Sequence, residues 1–285
     1  VYAVDDSDEV RLAELWQIVW RGKWLIVVSA LGFAFLAALS TYLITPVYRA
    51  SVLVAPTTET MGGTGLASLA GQFAGVAALA GVNVGGNNRT AEAVATLRSR
   101  AFTEKFINDR GLLPILYADR WDASTQQWRD ESGEPPSMWA AYELFNSLRS
   151  IDEDVATGLY KVDVNWTDPQ LAAEWANGLI GDVNGLLRTR AIGESRQNLD
   201  FLRGELEKNS QVQLQTTIFG LIEAEMQNAM LANVKQEYAF KVIDPARVPE
   251  RTHWPKRLLI TLLGFAVGLV IGTFVAVFRT AAMKK

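Results

Sequence analysis

The chain contains no cysteine and only one histidine, His253, among its 285 residues. The absence of cysteine excludes disulfides, thiolate zinc sites, CxxC redox pairs and cysteine nucleophiles. A single histidine likewise excludes multi-histidine metal centres and histidine-based catalytic triads. The sequence therefore predicts no metal site, no cofactor and no catalytic residue, although a pair of carboxylates would suffice for glycosidase chemistry.

A basic surface is also missing. The net charge is −4 at pH 7, and residues 46–257 contain no basic patch and no stretch that interleaves basic with aromatic residues. Nucleic-acid binding relies on clustered lysine and arginine side chains that neutralise phosphates. We therefore expect no nucleic-acid partner.

Charge is absent from two long apolar runs, residues 24–45 and 258–278. A helix that crosses a hydrocarbon core of roughly 30 Å needs about 20 apolar residues. Both runs are long enough, and a cleaved signal peptide has a shorter apolar stretch than the first run. We predict two transmembrane helices that place both ends of the chain on one side of a membrane and residues 46–257 on the other.

Lysine and arginine residues flank the spans both in the tails and in the long segment between the spans. The orientation therefore depends on which of these two groups of cations has the stronger effect on membrane insertion. Long loops translocate largely regardless of their charge, whereas short cationic segments favour the cytoplasm. We therefore expect cytoplasmic tails at residues 1–23 and 279–285 and a periplasmic domain at residues 46–257. Tails of this length leave no room for a cytoplasmic kinase or signal-output domain. The tail cations are Arg11, Arg21, Lys23, Arg279, Lys284 and Lys285.

The segment between the spans contains both strand and helix patterns. Alternating residues with β-branched types predict strands near 47–56, 159–166 and 238–244. Helical spacing predicts a helix over residues 89–110 and a long helical region over residues 169–236. We expect an α+β fold in which two transmembrane helices flank a periplasmic domain with a membrane-proximal α/β base and long protruding helices.

The long helical region should begin at Asp168, an N-cap residue, followed by Pro169. Further along, apolar residues recur every four positions, and this repeat drifts about 40° per step on a 3.6-residue helix. The apolar stripe must wind around the helix, or the helix must bend or break. We expect breaks at Gly193, Gly204 or Gly220. An ordinary core helix is one interpretation, and a long helix that projects and packs against neighbours is the favoured one.

Residues 61–88 form an uncharged segment rich in glycine and alanine. The segment lacks the GK[ST] sequence and the lysine of a phosphate-binding loop. No strand–turn–helix unit with a following acid surrounds it, so a dinucleotide site is also unsupported. Close packing against lipid or against another subunit explains it, and the sequence leaves these two alternatives open.

A polar, turn-rich stretch at residues 119–137 contains the densest group of acids. Its two tryptophans, Trp121 and Trp128, suggest sugar stacking or, more commonly, anchoring of a long loop in the core. A membrane-anchored glycosidase would have to use carboxylates from this stretch. The candidates are Asp119, Asp122, Asp130, Glu131 and Glu134.

The second span carries glycines at four-residue spacing, a doubled GxxxG pattern. Glycines on one face allow two helix backbones to approach closely in lipid. We predict that Gly264, Gly268 and Gly272 form a membrane helix packing face. The small residues of the first span are one candidate partner, and contact between subunits is the other.

Seven blocks of sequence, taken in order with the two spans, carry a family resemblance. They are DEVRLAELWQIVWRGKW, PVYRASVLVAP, GLASLAGQFAG, WDASTQQW, TDPQLAAEWAN, QNLDFLRGELEK and EYAFKVIDPARVPERTHWPKRLLI. Together they resemble the Wzz-type chain-length determinants, the polysaccharide co-polymerases of the bacterial inner membrane. In the last block, Pro245, Pro249 and Pro255 match the family's proline-rich approach to the second span.

The resemblance implies a protein that is not an enzyme and forms homo-oligomers in the inner membrane, with most of its chain in the periplasm. Its implied role is to set the length of O-antigen or related polymers. Its implied partners are a second copy of itself, the undecaprenol-linked polysaccharide polymerase and the nascent lipid-linked polysaccharide. Long helices rising above membrane-proximal α+β bases are also implied.

Two other functions compete with this interpretation, besides the glycosidase. The first is an export subunit for capsule or exopolysaccharide that works with a separate cytoplasmic tyrosine kinase. The second is a sensor with an extracytoplasmic input domain, which the short tails disfavour.

Overall fold

The structure is a computed structural model that describes residues 20, 23–57, 87–129, 133–208 and 211–282. The chain divides into two compact units. One unit contains the two terminal helices, and the other is Arg49–Pro249. Nearly all of the glycine- and alanine-rich segment at 61–88 lies outside the described residues.

Helices and strands alternate irregularly along the described residues. The helices are α1 (Lys23–Leu43), α2 (Asn87–Arg98), α3 (Arg100–Asp109), α4 (Leu113–Leu116), α5 (Met138–Leu148), α6 (Pro169–Lys208), α7 (Val212–Val234) and α8 (Arg257–Ala282). The strands are β1 (Val47–Pro56), β2 (Trp121–Asp122), β3 (Gln127–Trp128), β4 (Arg149–Asp154), β5 (Leu159–Trp166), β6 (Phe240–Asp244) and β7 (Thr252–Trp254). The fold is α+β with an apolar helix near each end, as the sequence predicts.

Helices α1 and α8 are each long and apolar enough to cross a membrane. Most of their side chains are exposed, which an aqueous protein surface would not favour and a lipid environment does. Helix α1 ends at Leu43, two residues before the end of the apolar run, because Pro46 follows closely. Helix α8 continues through Arg279 to Ala282, beyond the apolar run.

The Arg49–Pro249 unit is built on a sheet with the strand order β4-β5-β1-β6. Strands β4 and β5 form an antiparallel hairpin in which Arg149 lies opposite Val164. Strand β6 pairs antiparallel with β1, with a bulge after Leu53. In the other unit, the first two residues of β1 pair antiparallel with β7, at Val47–Trp254 and Tyr48–Thr252.

The sequence patterns missed four of the strands. Strand β4 reads RSIDED, and its inward positions are Arg149 and Ile151, so a buried arginine hides the alternation of a half-buried strand. Strands β2, β3 and β7 span only two or three residues, too few for any periodicity.

The helix predicted over residues 89–110 is in fact two helices, α2 and α3. Ser99 lies between them in an extended conformation, and its hydroxyl accepts a hydrogen bond from the Phe102 N–H at 3.2 Å. A serine in this position satisfies an N–H group at the start of α3 that has no partner within the helix. The continuous-helix prediction was therefore wrong at this N-cap.

The predicted glycine breaks in the long helical region were also wrong. Helix α6 runs without interruption through Gly193 and Gly204, and α7 runs through Gly220. A Cβ at any of the three would meet only open space, so these glycines cost some helix propensity without marking a close contact. The region breaks instead between Lys208 and Val212. Its start is as expected, because the Asp168 carboxylate accepts from the Gln170 N–H at 2.7 Å.

The core lies between one face of the sheet and the first half of α6, with α3 and α5 beside it. Strand residues Val52, Val54, Val162 and Val164 are fully buried. A chain of aromatic rings crosses the core, with ring centroids 5.4 Å apart for Phe106–Phe145, 5.8 Å for Phe145–Trp175 and 5.1 Å for Trp166–Trp175. These separations suit favourable tilted aromatic contacts.

Two asparagines on α6 hold the segment that contains β6 through its backbone. Asn184 is buried; its amide donates to the Phe240 carbonyl at 2.8 Å, and its oxygen accepts from the N–H groups of Ala239 and Phe240. Asn177, seven residues earlier on the same face, makes the same two-way contact with the backbone of Ala246. Strand β6 is an edge strand, so these side chains replace a neighbouring strand as its hydrogen-bonding partner.

We expect Asn184→Leu to destabilise this unit, because it keeps the side-chain size but leaves two buried N–H groups unpaired. At about 1–3 kcal/mol for each unpaired group, the loss should be about 2–6 kcal/mol. Urea unfolding of the full-length protein in nanodiscs, followed by tryptophan fluorescence, measures it. The exposed Gln197→Leu on the same helix is the control, and equal stability of the two variants would contradict the assignment.

Candidate functional site

The three glycines predicted to form a packing face lie on one side of α8, against α1 of the same chain. A Cβ on Gly264 would lie 2.5 Å from the Cβ of Ala37, and a Cβ on Gly268 would lie 2.7 Å from the Cα of Ala30. At Gly272 the nearest atom would be the Cα of Ile26, at 2.9 Å. Real Cβ atoms do not approach so closely, so each position admits only glycine without movement of the helices.

A hydrogen bond fixes the same contact, since the Ser29 hydroxyl donates to the Gly268 carbonyl at 3.0 Å. The order of contacts shows that α1 and α8 run antiparallel. The glycine face therefore joins the two apolar helices of one chain. A role for these glycines between subunits stays a prediction.

Pro245, Pro249 and Pro255 do not form one cluster. Pro245 follows directly on β6, Pro249 ends the Arg49–Pro249 unit, and Pro255 lies between β7 and α8 after a cis peptide bond. They are spread along the return segment, and their proposed influence on polymer length stays a prediction.

Helices α6 and α7 form an antiparallel hairpin. The Arg188 guanidinium on α6 donates to the carbonyls of Ala232 and Asn233 near the end of α7, at 2.9 and 2.6 Å. Further along, the Asn198 amide reaches Glu225 at 3.5 Å. Forty residues make α6 about 60 Å long. Its buried apolar residues end at Leu187, so its second half packs mainly on α7.

Helix α7 is apolar on most of its surface, yet only Ile218 and Ala232 are buried. At about 100° per residue, five exposed apolar side chains fall within an arc of about 80° on this helix. We name this set the α7 stripe. It comprises Val212, Phe219, Met226, Met230 and Val234, which are 77, 57, 48, 65 and 79% exposed. The exposed Thr216 and Glu223 lie within the same arc, yet a soluble monomer rarely exposes so many large apolar side chains on one helix face.

Charges in the core are held by specific partners. Arg110 forms a bidentate ion pair with Asp182 and crosses α6 over Gly178, where a Cβ would lie 2.9 Å from the guanidinium. Burial lowers the pKa of Arg149 to about 10, so this residue remains a cation at neutral pH. Its guanidinium donates to Thr103 and Asn146, which are neutral.

Of the candidate acids in the 119–137 stretch, Asp119, Asp122 and Glu134 lie within the described residues. Asp122 accepts hydrogen bonds from the backbone N–H and the hydroxyl of Ser124 in a tight turn. These hydrogen bonds hold the pKa of Asp122 below its usual range, whereas a general acid needs a raised pKa. Asp130 and Glu131 lie outside the described residues. No three acidic or histidine side chains converge as a metal site there requires.

The two tryptophans of this stretch contact each other across the β2–β3 hairpin. The Trp121 and Trp128 ring centroids are 4.8 Å apart in an edge-on arrangement. Neither ring belongs to the buried core cluster. The expectation that they anchor the loop in the core was therefore wrong, because they stabilise a small separate hairpin.

Sequence comparison assigns two parts of the chain to known families. Residues 8–110 match the model of the Wzz chain length determinant protein. Residues 203–281 match the model described as the G-rich domain on putative tyrosine kinase. A comparison with curated proteins gives no match.

Solved structures give distant likenesses. A full-length bacterial polysaccharide co-polymerase is 13% identical over 96% of this chain and 98% of its own, with a TM-score of 0.41. A fragment of WzzB, a polysaccharide co-polymerase from Salmonella Typhimurium, is 14% identical over 73% of this chain and 100% of its own, with a TM-score of 0.33. A point mutant of the Shigella flexneri O-antigen chain-length regulator WzzB is 10% identical over 72% and 99%, with a TM-score of 0.19. These values are too low to transfer geometry.

The two apolar helices, together with the family match, indicate a membrane protein. The matched family model covers α1, β1, α2 and α3. Residues 8–110 thus carry the Wzz chain length determinant match, in agreement with the resemblance seen in the sequence.

We expect Gly268→Leu to separate α1 from α8, because the added side chain would enter the space of Ala30. Since the natural chain has no cysteine, Thr41→Cys with Ile260→Cys can report the contact, because these positions lie one helical turn beyond the Ala37–Gly264 approach and leave the glycines unchanged. Nonreducing electrophoresis of protein oxidised in nanodiscs should show the cross-link in this background.

Adding Gly268→Leu to that background should abolish the cross-link. Gly32→Leu is the matched control, because a Cβ at Gly32 has no neighbour within 4 Å. Equal cross-linking with both leucines would show that the glycine face does not hold the two helices together.

Proposed function

We propose that this protein is a non-enzymatic regulator of polysaccharide chain length that works as a homo-oligomer in the bacterial inner membrane. The observation that carries the proposal is the match of residues 8–110 to the chain length determinant family. Its tails lie in the cytoplasm and its α+β unit lies in the periplasm, where O-antigen-type polymers are assembled. There it modulates how long the undecaprenol-linked polymerase extends each chain.

The α7 stripe supports assembly outside the lipid. Its exposed side chains lie on a hairpin whose outer half has little core of its own, so a second copy is the natural partner for that surface. The glycine face is already covered by α1 of the same chain. Contacts between subunits in this proposal therefore rest on the hairpin more than on the glycines.

A second candidate function is supported by the other family match. The matched region, residues 203–281, carries the description of a domain on putative tyrosine kinases. In this alternative the protein is a subunit for polymerisation and export of capsule or exopolysaccharide and acts with a separate cytoplasmic kinase. Copurification of a tyrosine kinase, and loss of polymer when that kinase is removed, would favour it.

We expect Phe219→Glu with Met230→Glu to lower the oligomer mass, because each carboxylate would be desolvated in an apolar interface. The same cells should lose the modal length of their polymer. Light scattering of the full-length protein in nanodiscs or detergent, and gel electrophoresis of the polysaccharide, measure the two effects.

The control for these variants is Val155→Glu, which places the same charge on an apolar side chain that is 88% exposed in the β4–β5 turn. This variant should keep the wild-type mass and polymer length. An unchanged mass for the double variant would refute assembly through the α7 stripe.

A further inference from the structure

A polar cavity lies in the Arg49–Pro249 unit, where the α6–α7 hairpin meets α2 and the start of β6. Its volume is about 180 Å³. Eight polar side chains line it from three helices: Arg89 and Glu92 from α2, Arg190, Glu194, Ser195 and Asn198 from α6, and Glu225 and Asn228 from α7. We name it the hairpin cavity.

One face of α6 forms the longest wall of this cavity. Leu187, Arg190, Ala191, Glu194, Ser195 and Asn198 follow helical spacing of three and four residues, so they share that face. The floor is buried, since Leu187 and Ser195 are each 5% exposed, whereas Glu194 and Asn198 at the rim are exposed. The cavity is therefore enclosed below and accessible from solvent.

Several of the polar groups contact one another only at long range. Arg190 and Glu92 approach only to 3.9 Å, and Asn198 reaches Glu225 at 3.5 Å, the outer limit of a hydrogen bond. Among the described residues, Glu194 and Asn228 have no hydrogen-bond or ion-pair partner for their side chains. Strong donors and acceptors thus face a shared space.

The mixture of charges in the lining indicates which class of ligand the hairpin cavity suits. Two arginines, Arg89 and Arg190, and three glutamates line the cavity, so its net charge is close to neutral and slightly negative. A phosphate or carboxylate ligand would need an excess of donors, and an apolar ligand would need an apolar lining. Sugar hydroxyls both donate and accept, so intermixed carboxylates, amides and guanidinium groups suit them. The Tyr238 ring also lines the cavity, with the Arg89 guanidinium over it at 5.5 Å from its centroid.

The size of the cavity limits what it holds. At about 30 Å³ for each water in the liquid, the volume corresponds to about six waters, below the usual range of sites for drug-sized ligands. A single sugar ring fits this space, whereas a longer oligosaccharide would have to leave through the open rim.

We propose that the hairpin cavity is a saccharide subsite that holds one uncharged sugar ring of the polymer. This inference rests on the proposed function, which brings the polymer to this unit. Because α2, α6 and α7 all contribute side chains, an occupied cavity would tie the hairpin to the sheet-bearing part of the unit. The growing chain would thereby contact the regulator itself.

The test uses the full-length protein in nanodiscs and oligosaccharides of the host's own surface polymer, released by mild acid and fractionated by size. Binding to immobilised nanodiscs gives Kd. Asn228→Ala, which removes a rim amide, and Ala191→Leu, which fills the cavity, should each weaken binding by about tenfold or more. Gln227→Ala, next to Asn228 on an exposed part of α7, should stay within about twofold. Polygalacturonate, an acidic polymer, should bind more weakly than the neutral oligosaccharides.

An unchanged Kd in both cavity variants would overturn the subsite, as would the absence of oligosaccharide binding to the wild-type protein. Light scattering checks that each variant keeps the wild-type oligomer mass, and the two independent variants guard against loss of folding in one. The polymer length distribution of wild-type cells is scored separately. Length control without oligosaccharide binding would reject the subsite and leave the proposed function intact, whereas binding without length control would reject the proposed function alone.

Discussion

The two-way hydrogen bonds from Asn177 and Asn184 to the backbone around β6 hold together the two halves of the α+β unit. They link the first half of α6 to a strand that the chain reaches only after the whole α6–α7 hairpin. Without them, an edge strand would carry unpaired backbone groups inside a hydrophobic core. This contact lets the hairpin extend while its two ends remain fixed at the sheet, and the hairpin cavity lies beside the same junction.

The sequence predicted the elements whose patterns repeat over many residues. The two apolar runs were recognised by their length and lack of charge, and helices α1 and α8 occur there. The strands near 47–56 and 159–166 were recognised by their alternation, and β1 and β5 occur there. The end of α6 at Lys208 and the start of α7 at Val212 were not predicted. The four-residue repeat lies only in α7, and the glycines that were expected to break a helix lie inside α6 and α7. The asparagine contacts were missed as well. Two asparagines seven residues apart on the apolar face of a helix were the available signal, since buried amides need partners.

For the candidate site, too, the sequence predicted some features and missed others. Glycine spacing predicted a close helix contact, and the structure places those glycines against α1 of the same chain. The α7 stripe could be recognised only from the structure, because a sequence pattern does not show which of the many apolar residues of α7 are covered by α6. The hairpin cavity joins residues from 89 to 239, so no local motif contains it. The glycine face, the α7 stripe and the hairpin cavity are thus separate surfaces of one chain.

Deletion and restoration of the gene test the central claim most directly, with the surface polysaccharide resolved by length on a silver-stained gel. Deletion should convert a modal cluster into a graded ladder with total polymer retained, and restoration should recover the cluster. An unchanged ladder would contradict chain-length control. Loss of all polymer would contradict it too and would favour the export subunit.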